Sequence, residues 1–141
     1  MGIVIALISG ALMSIQGVFN TEVTKTTGIW VSNSFVQATA LLVCLGAWFF
    51  KGRDSFMTLL QVRPVYALAG GIIGAFITLT VIKSMSSLGP AKAVMLIVVS
   101  QLVVAYLIEL FGFFGAEKVE FEIRKFIGMI ITIIGVIIFK W

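Results

Sequence analysis

Apolar positions in this chain come in long, unbroken runs separated by short polar stretches. No charged side chain occurs from Met1 to Thr21, and the next charge-free run extends from Thr26 to Phe50. A third runs from Pro64 to Ile82, and a fourth, from Ala93 to Ala116, is interrupted only by Glu109. The last uncharged stretch, Phe126 to Phe139, is bracketed by Arg124, Lys125 and Lys140. A helix rises about 1.5 Å per residue and must cross roughly 30 Å of hydrocarbon, so about 20 residues are needed. The first four runs reach that length. The fifth, with 14 uncharged residues, spans about 21 Å by itself. It crosses when Arg124, Lys125 and Lys140 snorkel to the two interfaces, with Trp141 as an interfacial anchor. Barrel strands would be shorter and alternate in polarity, and backbone hydrogen bonding in lipid then leaves only helices. The pattern predicts an all-α membrane protein with five transmembrane helices at about 2–21, 28–50, 64–83, 91–114 and 123–141, forming one domain over 1–141.

Composition agrees and removes several function classes. Hydrophobic residues make up 60% of the chain and charged residues 11%, against about 25% charged in ordinary soluble domains. The mean hydropathy is +1.17. The first run has no basic leader and is too long for the apolar core of a cleavable signal, so it is read as a retained span. Ala6 stands where a myristoylation signal needs a hydroxyl residue. With no histidine and a single cysteine, Cys44, disulfide frameworks and Cys/His metal sites are ruled out by counting. No cofactor or metal is therefore expected. No glycine-rich nucleotide loop and no catalytic triad is visible, so the chain is not read as an enzyme. A net charge of +4 scattered over short connectors does not suit nucleic acid.

The connectors "TEVTKTTG", "KGRDSFMTLLQVRP", "KSMSSLGPAK" and "GAEKVEFEIRK" are too short for a further domain, and Pro64 and Pro90 fall where a helix would begin. An odd number of spans puts the termini on opposite sides. Lys51, Arg53, Arg63, Lys118, Arg124 and Lys125 then share the N-terminal side, and Lys25, Lys83, Lys92 and Lys140 the other. This bias leans towards a cytoplasmic N-terminus under the positive-inside rule. So small a margin is also what insertion in both orientations would give.

Inside the spans, the polar positions carry the candidate chemistry. Helical spacing puts Ser9, Gln16 and Asn20 on one stripe of the first span, and Trp30, Asn33, Gln37 and Cys44 on a stripe of the second, with Ser34 beside it. In the fourth span Ser100, Gln101, Tyr106 and Glu109 are spread around the helix. Two readings stand. Such groups hydrogen-bond between helices as packing glue, worth about 0.6 to 2 kcal/mol each, or they line a polar pathway. Glue accounts for any single Ser or Thr, whereas four amides on two consecutive spans exceed what packing two helices needs. Glu109 is a proton carrier or cation partner by default as an intramembrane carboxylate. It also lies about two turns from the loop at Gly115, within reach of the interface. Lys83 and Lys92 at span ends are read as snorkelling. Gly70 and Gly74 form a GxxxG pattern, and Gly128, Thr132 and Gly135 form a small-residue face on the last span, both suited to helix or dimer packing.

Three stretches resemble one family. "GALMSIQGVFNTEV", with Gln16 followed by Asn20, is similar to the first span of the half-size, five-helix YdcZ-like proteins of the drug/metabolite transporter superfamily. "LGPAKAVMLIVVSQLVVAYLIELFGFFG" looks like their fourth span, with Gln101, Glu109, Phe111 and Gly112 at the matching positions, and "RKFIGMIITIIGVII" fits the last span. The resemblance covers the whole chain in order and spacing. It implies an EmrE-like half-transporter bundle in the bacterial inner (plasma) membrane. Full-size relatives have ten helices in two oppositely oriented halves, so a half-size chain would pair as an antiparallel homodimer or with a partner half. By the same analogy, the first four helices would line the pathway and the last would support the dimer.

The chain departs from the superfamily where it matters for coupling. Four-helix multidrug members use a first-span Glu for proton exchange, and here Gln16 cannot titrate. Asn33-Ser34-Phe35 also stands where an apolar or small residue would precede the Ser-Phe pair. The expected function is a small transporter that moves a polar or amphipathic solute by alternating access as a ten-helix dimer. Its cavity would be lined by Gln16, Asn20, Asn33, Gln37 and Gln101, with Trp30 and Tyr106 as aromatic contacts. Scarce ionisable residues keep two alternatives open, a non-transporting subunit that assembles with or regulates a membrane partner, and a passive channel.

Overall fold

The computed structural model describes residues 1–140 of the chain, Lys140 by its backbone alone. The interfacial roles expected of the Lys140 side chain and of Trp141 lie outside the described residues. Five helices follow one another: α1 (Gly2–Thr27), α2 (Ile29–Lys51), α3 (Gly70–Leu88), α4 (Pro90–Phe111) and α5 (Ile123–Lys140). Short 3-10 helices at Phe56–Gln61 and Val65–Ala69 lie between α2 and α3, and another at Phe113–Gly115 follows α4. Among the described residues there is no strand.

α1 continues beyond its charge-free run because its polar end satisfies itself locally. Lys25 pairs with Glu22 at 2.6 Å in i,i+3 spacing, and the Thr24 hydroxyl donates to the Asn20 carbonyl at 2.7 Å. The helix stops at Gly28, whose φ of 82° and ψ of 159° lie in a region open essentially to glycine alone. One residue thus joins α1 to α2. The same device recurs at Gly89, with φ 80° and ψ 157°, between α3 and α4. Pro90 at the head of α4 needs no backbone donor there.

The chain divides into two compact units, Met1–Ser87 and Leu88–Trp141. In the first, α1 packs along α2, and α1 meets α3 where Gly17 is covered by Val81 and Met85. In the second, the start of α4 lies against the end of α5, an antiparallel pair. Most large apolar side chains are exposed, Leu42 and Ile131 among them. In hydrocarbon that is no penalty, and apolar contact between helices gives no net attraction either. Shape-matched packing, close approach at small residues and polar bonds between helices hold such units together instead.

Four segments, Gly2–Thr27, Ile29–Lys51, Val65–Leu88 and Pro90–Phe111, are long and apolar enough to cross a membrane by length and composition. α5 has 18 residues and includes Arg124, Lys125 and Lys140, so it is more charged than the other four. The chain is an all-helical, multi-pass membrane protein.

Candidate functional site

The first unit gathers its polar side chains where its three helices meet. Asn20 is 7% exposed, Asn33 8% and Ser32 0%. The Ser32 hydroxyl donates to the Asn20 carbonyl at 3.1 Å, which ties α2 to α1. Asn33 Nδ2 donates to the Ala75 carbonyl of α3 at 3.4 Å. One turn further along α2, Gln37 Nε2 donates to Thr78 Oγ1 at 3.3 Å, and Thr78 passes its own proton to the Gly74 carbonyl at 3.1 Å. This ladder works because Asn33 and Gln37 are four residues apart and share a face. It leaves one atom over. Asn33 Oδ1 is buried and has no hydrogen-bond partner among the described residues, a state that costs about 1–3 kcal/mol.

Gln16 and Asn20 border a shallow, open depression on α1 with Leu12, Met13, Ile15 and Phe19. Asn20 therefore stands at the boundary between the buried cluster and this opening, one turn from an exposed Gln16. Trp30 and Ser34 are exposed and line a separate open depression with Val31, Phe35 and Ala38. Of the residues singled out in the first two spans, Asn20, Asn33 and Gln37 are brought to the helix junction and Gln16 to its edge. Trp30 and Ser34 are on another face.

In the second unit, Gln101 and Glu109 are exposed. The Tyr106 hydroxyl is buried and has no hydrogen-bond partner among the described residues. Glu109 and Tyr106 lie close enough to Lys125 to act on it electrostatically, and Lys125 is itself paired with Glu122 at 2.9 Å. The Glu109 carbonyl accepts from the Val119 N–H at 3.0 Å, which fixes the loop beside it. Among the described residues, no cluster of three His, Cys, Asp or Glu side chains could hold a metal ion.

The glycines are used differently from one another. A Cβ at Gly70, Gly74, Gly128 or Gly135 would meet none of the described residues within 4 Å. Thr132 turns its hydroxyl back to the Gly128 carbonyl at 2.9 Å. Gly17 is in close contact with another helix: a Cβ there would come within 2.5 Å of Met85 Cε and 3.2 Å of Val81 Cγ1. The sequence pattern does not single out Ser32. Ser32 lies off the Asn33–Gln37 stripe by about 100°, and its partner is a main-chain carbonyl, which no side-chain pattern reveals.

A family model described as "Putative inner membrane exporter, YdcZ" matches residues 1–138 of the chain. No curated protein and no solved structure matches it.

Proposed function

From the premise that the chain belongs to the YdcZ family of the inner membrane, and is therefore a membrane transporter and not an enzyme, we propose a specific mode of action. The chain crosses the membrane five times and pairs with an oppositely oriented second copy. The dimer exports a small polar or amphipathic solute by alternating access. In each copy Gln16, Asn20, Asn33 and Gln37 form the polar wall that the solute touches. Trp30 and Ser34, and in the second unit Gln101 and Tyr106, provide further contacts along the path. Glu109 is the coupling carboxylate. The face of Gly128, Thr132 and Gly135 is the contact between copies.

One observation carries this reading: Asn33 is buried with a carbonyl oxygen that no described residue bonds, next in sequence to Ser32, which bonds the Asn20 that borders an open depression. Interhelical glue would use both ends of a buried amide. An acceptor left over where α1, α2 and α3 meet suits a group that is satisfied only when the helices shift and a solute donor arrives. The space left beside Gly128 and Gly135 by the described residues supports association through α5, because small residues admit a close helix neighbour. A basic-residue bias of six against four supports insertion both ways.

Cysteine accessibility tests the wall without knowing the solute. In a Cys44→Ala background, Gln16→Cys and Asn20→Cys are expected to react with a membrane-impermeant thiol reagent, and Leu42→Cys, on an exposed apolar position, is expected to stay inert. Inert cysteines at 16 and 20 would leave these amides as packing groups only. In the same background, Ser55→Cys and Ser87→Cys report orientation. Labelling of each in about half the molecules from outside is expected for an antiparallel pair, and labelling of a single site overturns it.

A further inference from the structure

Lys92 is a cation that the fold leaves unused. It sits in the first turn of α4, just after Pro90, and among the described residues it makes no hydrogen bond or ion pair. The peptide dipoles favour anions at that end of a helix, so a lysine there gains nothing from them. No acidic residue shares the turn to offset it. Helix stability does not account for the position.

A groove runs beside it within the second unit. Lys92, Met95 and Leu96 form one stripe of α4, Val136 and Phe139 the facing stripe of α5, and Leu88 closes one end. Five of these six side chains are apolar. The cavity holds about 60 Å³, whereas pockets that enclose a small molecule hold about 300–1,000 Å³. It is too small for a transported solute. It suits a few methylenes of a longer chain lying in an open channel, with the rest of that chain continuing into the bilayer. Among the described residues lining the groove, Lys92 is the charged one, and it stands near the end of a membrane-crossing segment, where lipid headgroups begin.

We infer that this groove binds one anionic phospholipid from the surrounding bilayer, an acyl chain between Met95 and Val136 and the phosphate against the Lys92 ammonium. A zwitterionic lipid offers the same chain but sets its own ammonium beside the phosphate, so Lys92 discriminates by net charge. One lysine near the headgroup plane is worth about 1 kcal/mol towards anionic lipid, or about fivefold in affinity.

The test uses the purified full chain in detergent, titrated with dioleoyl-phosphatidylglycerol or dioleoyl-phosphatidylcholine, with bound lipid counted by native mass spectrometry. The wild type is expected to retain one phosphatidylglycerol per chain with about fivefold preference. Lys92→Gln should bring the two lipids to parity, and Lys92→Arg should keep the preference. Val136→Trp, which fills the groove, should lose both lipids while helical content by circular dichroism is unchanged. Equal retention of the two lipids by the wild type overturns the inference, as does an undiminished preference in Lys92→Gln. Phosphatidylglycerol still held by a folded Val136→Trp chain overturns the groove as its seat.

Discussion

In the first unit, Ser32, Asn33 and Gln37 all reach from α2 to a neighbouring helix, with bonds of 3.1, 3.4 and 3.3 Å. In the second, the side-chain bonds of α5 are local: Thr132 to its own helix and Lys125 to Glu122. The start of α4 and the end of α5 meet largely through apolar side chains, Glu109 and Tyr106 act on Lys125 at the other end, and Gln101 and Glu109 remain exposed. In lipid this difference has a physical consequence. The hydrophobic effect does not drive two helices together there, because acyl chains are as apolar as the side chains, and association rests on fitted packing and on hydrogen bonds. Directional bonds therefore select one arrangement of α1, α2 and α3. The α4–α5 pair depends on shape, on the connection over residues 112–122 and on whatever lipid or second chain covers it. A solute wall needs the first kind of construction, and an adaptable contact face the second.

Adding bulk at one glycine of each unit is expected to break this contrast most forcefully. Gly17→Leu would drive a side chain into Met85 and Val81, where even a Cβ lies 2.5 Å from Met85 Cε. Overpacking of this kind costs about 3 kcal/mol, read as a loss of thermal stability of the purified chain. Gly128→Leu enters open space and should leave the fold of the single chain unchanged. Its expected effect is on association, measured by crosslinking or by mass in detergent. A Gly128→Leu chain that still dimerises as well as wild type would remove α5 from the proposed contact.

The two glycine joins sharpen the comparison instead. Gly28 and Gly89 have nearly the same backbone angles but stand at the ends of differently built helices. Strain in that region is a local property of the residue, about 1–3 kcal/mol for a side chain forced into it. Gly28→Ala and Gly89→Ala are therefore expected to destabilise about equally in thermal unfolding. A much larger loss at Gly28 would mean that the polar bonds of the first unit amplify the strain by failing together.

These joins also mark what could be read from the sequence. Charge-free runs marked the four segments long and apolar enough to cross a membrane, and the amide stripes held Asn20, Asn33 and Gln37, because burial in lipid excludes charge and helical periodicity groups residues on one face. The ends of the helices were less visible. Glu22 and Lys25 look like connector residues until their ion pair lets α1 run on to Thr27, and a positive φ at Gly28 is invisible in a glycine code shared with Gly17. Partners across helices were not legible at all. Nothing in the spacing says that Gln37 finds Thr78 or that Ser32 finds a main-chain carbonyl, since register between helices is set by three-dimensional packing.

The smallest stability effects, and the most informative about function, are expected from replacing one amide in each unit with leucine. Asn33→Leu removes a 3.4 Å bond to Ala75 and at the same time the stranded Oδ1. Loss of a weak bond costs about 0.6 kcal/mol in a membrane bundle, while relief of an unsatisfied buried acceptor returns about 1–3 kcal/mol. The substituted chain should thus be as stable as wild type or slightly more so. If Asn33 is part of the solute wall, the same change should nonetheless abolish the reaction of Asn20→Cys with the impermeant thiol reagent. Gln101→Leu lies on an exposed position of α4, and its stability should stay within about 0.5 kcal/mol of wild type. A loss of export there with no change in stability would bring α4 into the path. Marked destabilisation by Asn33→Leu would instead show that the Ala75 bond outweighs the stranded oxygen, and the amide ladder of the first unit would then be packing and nothing more.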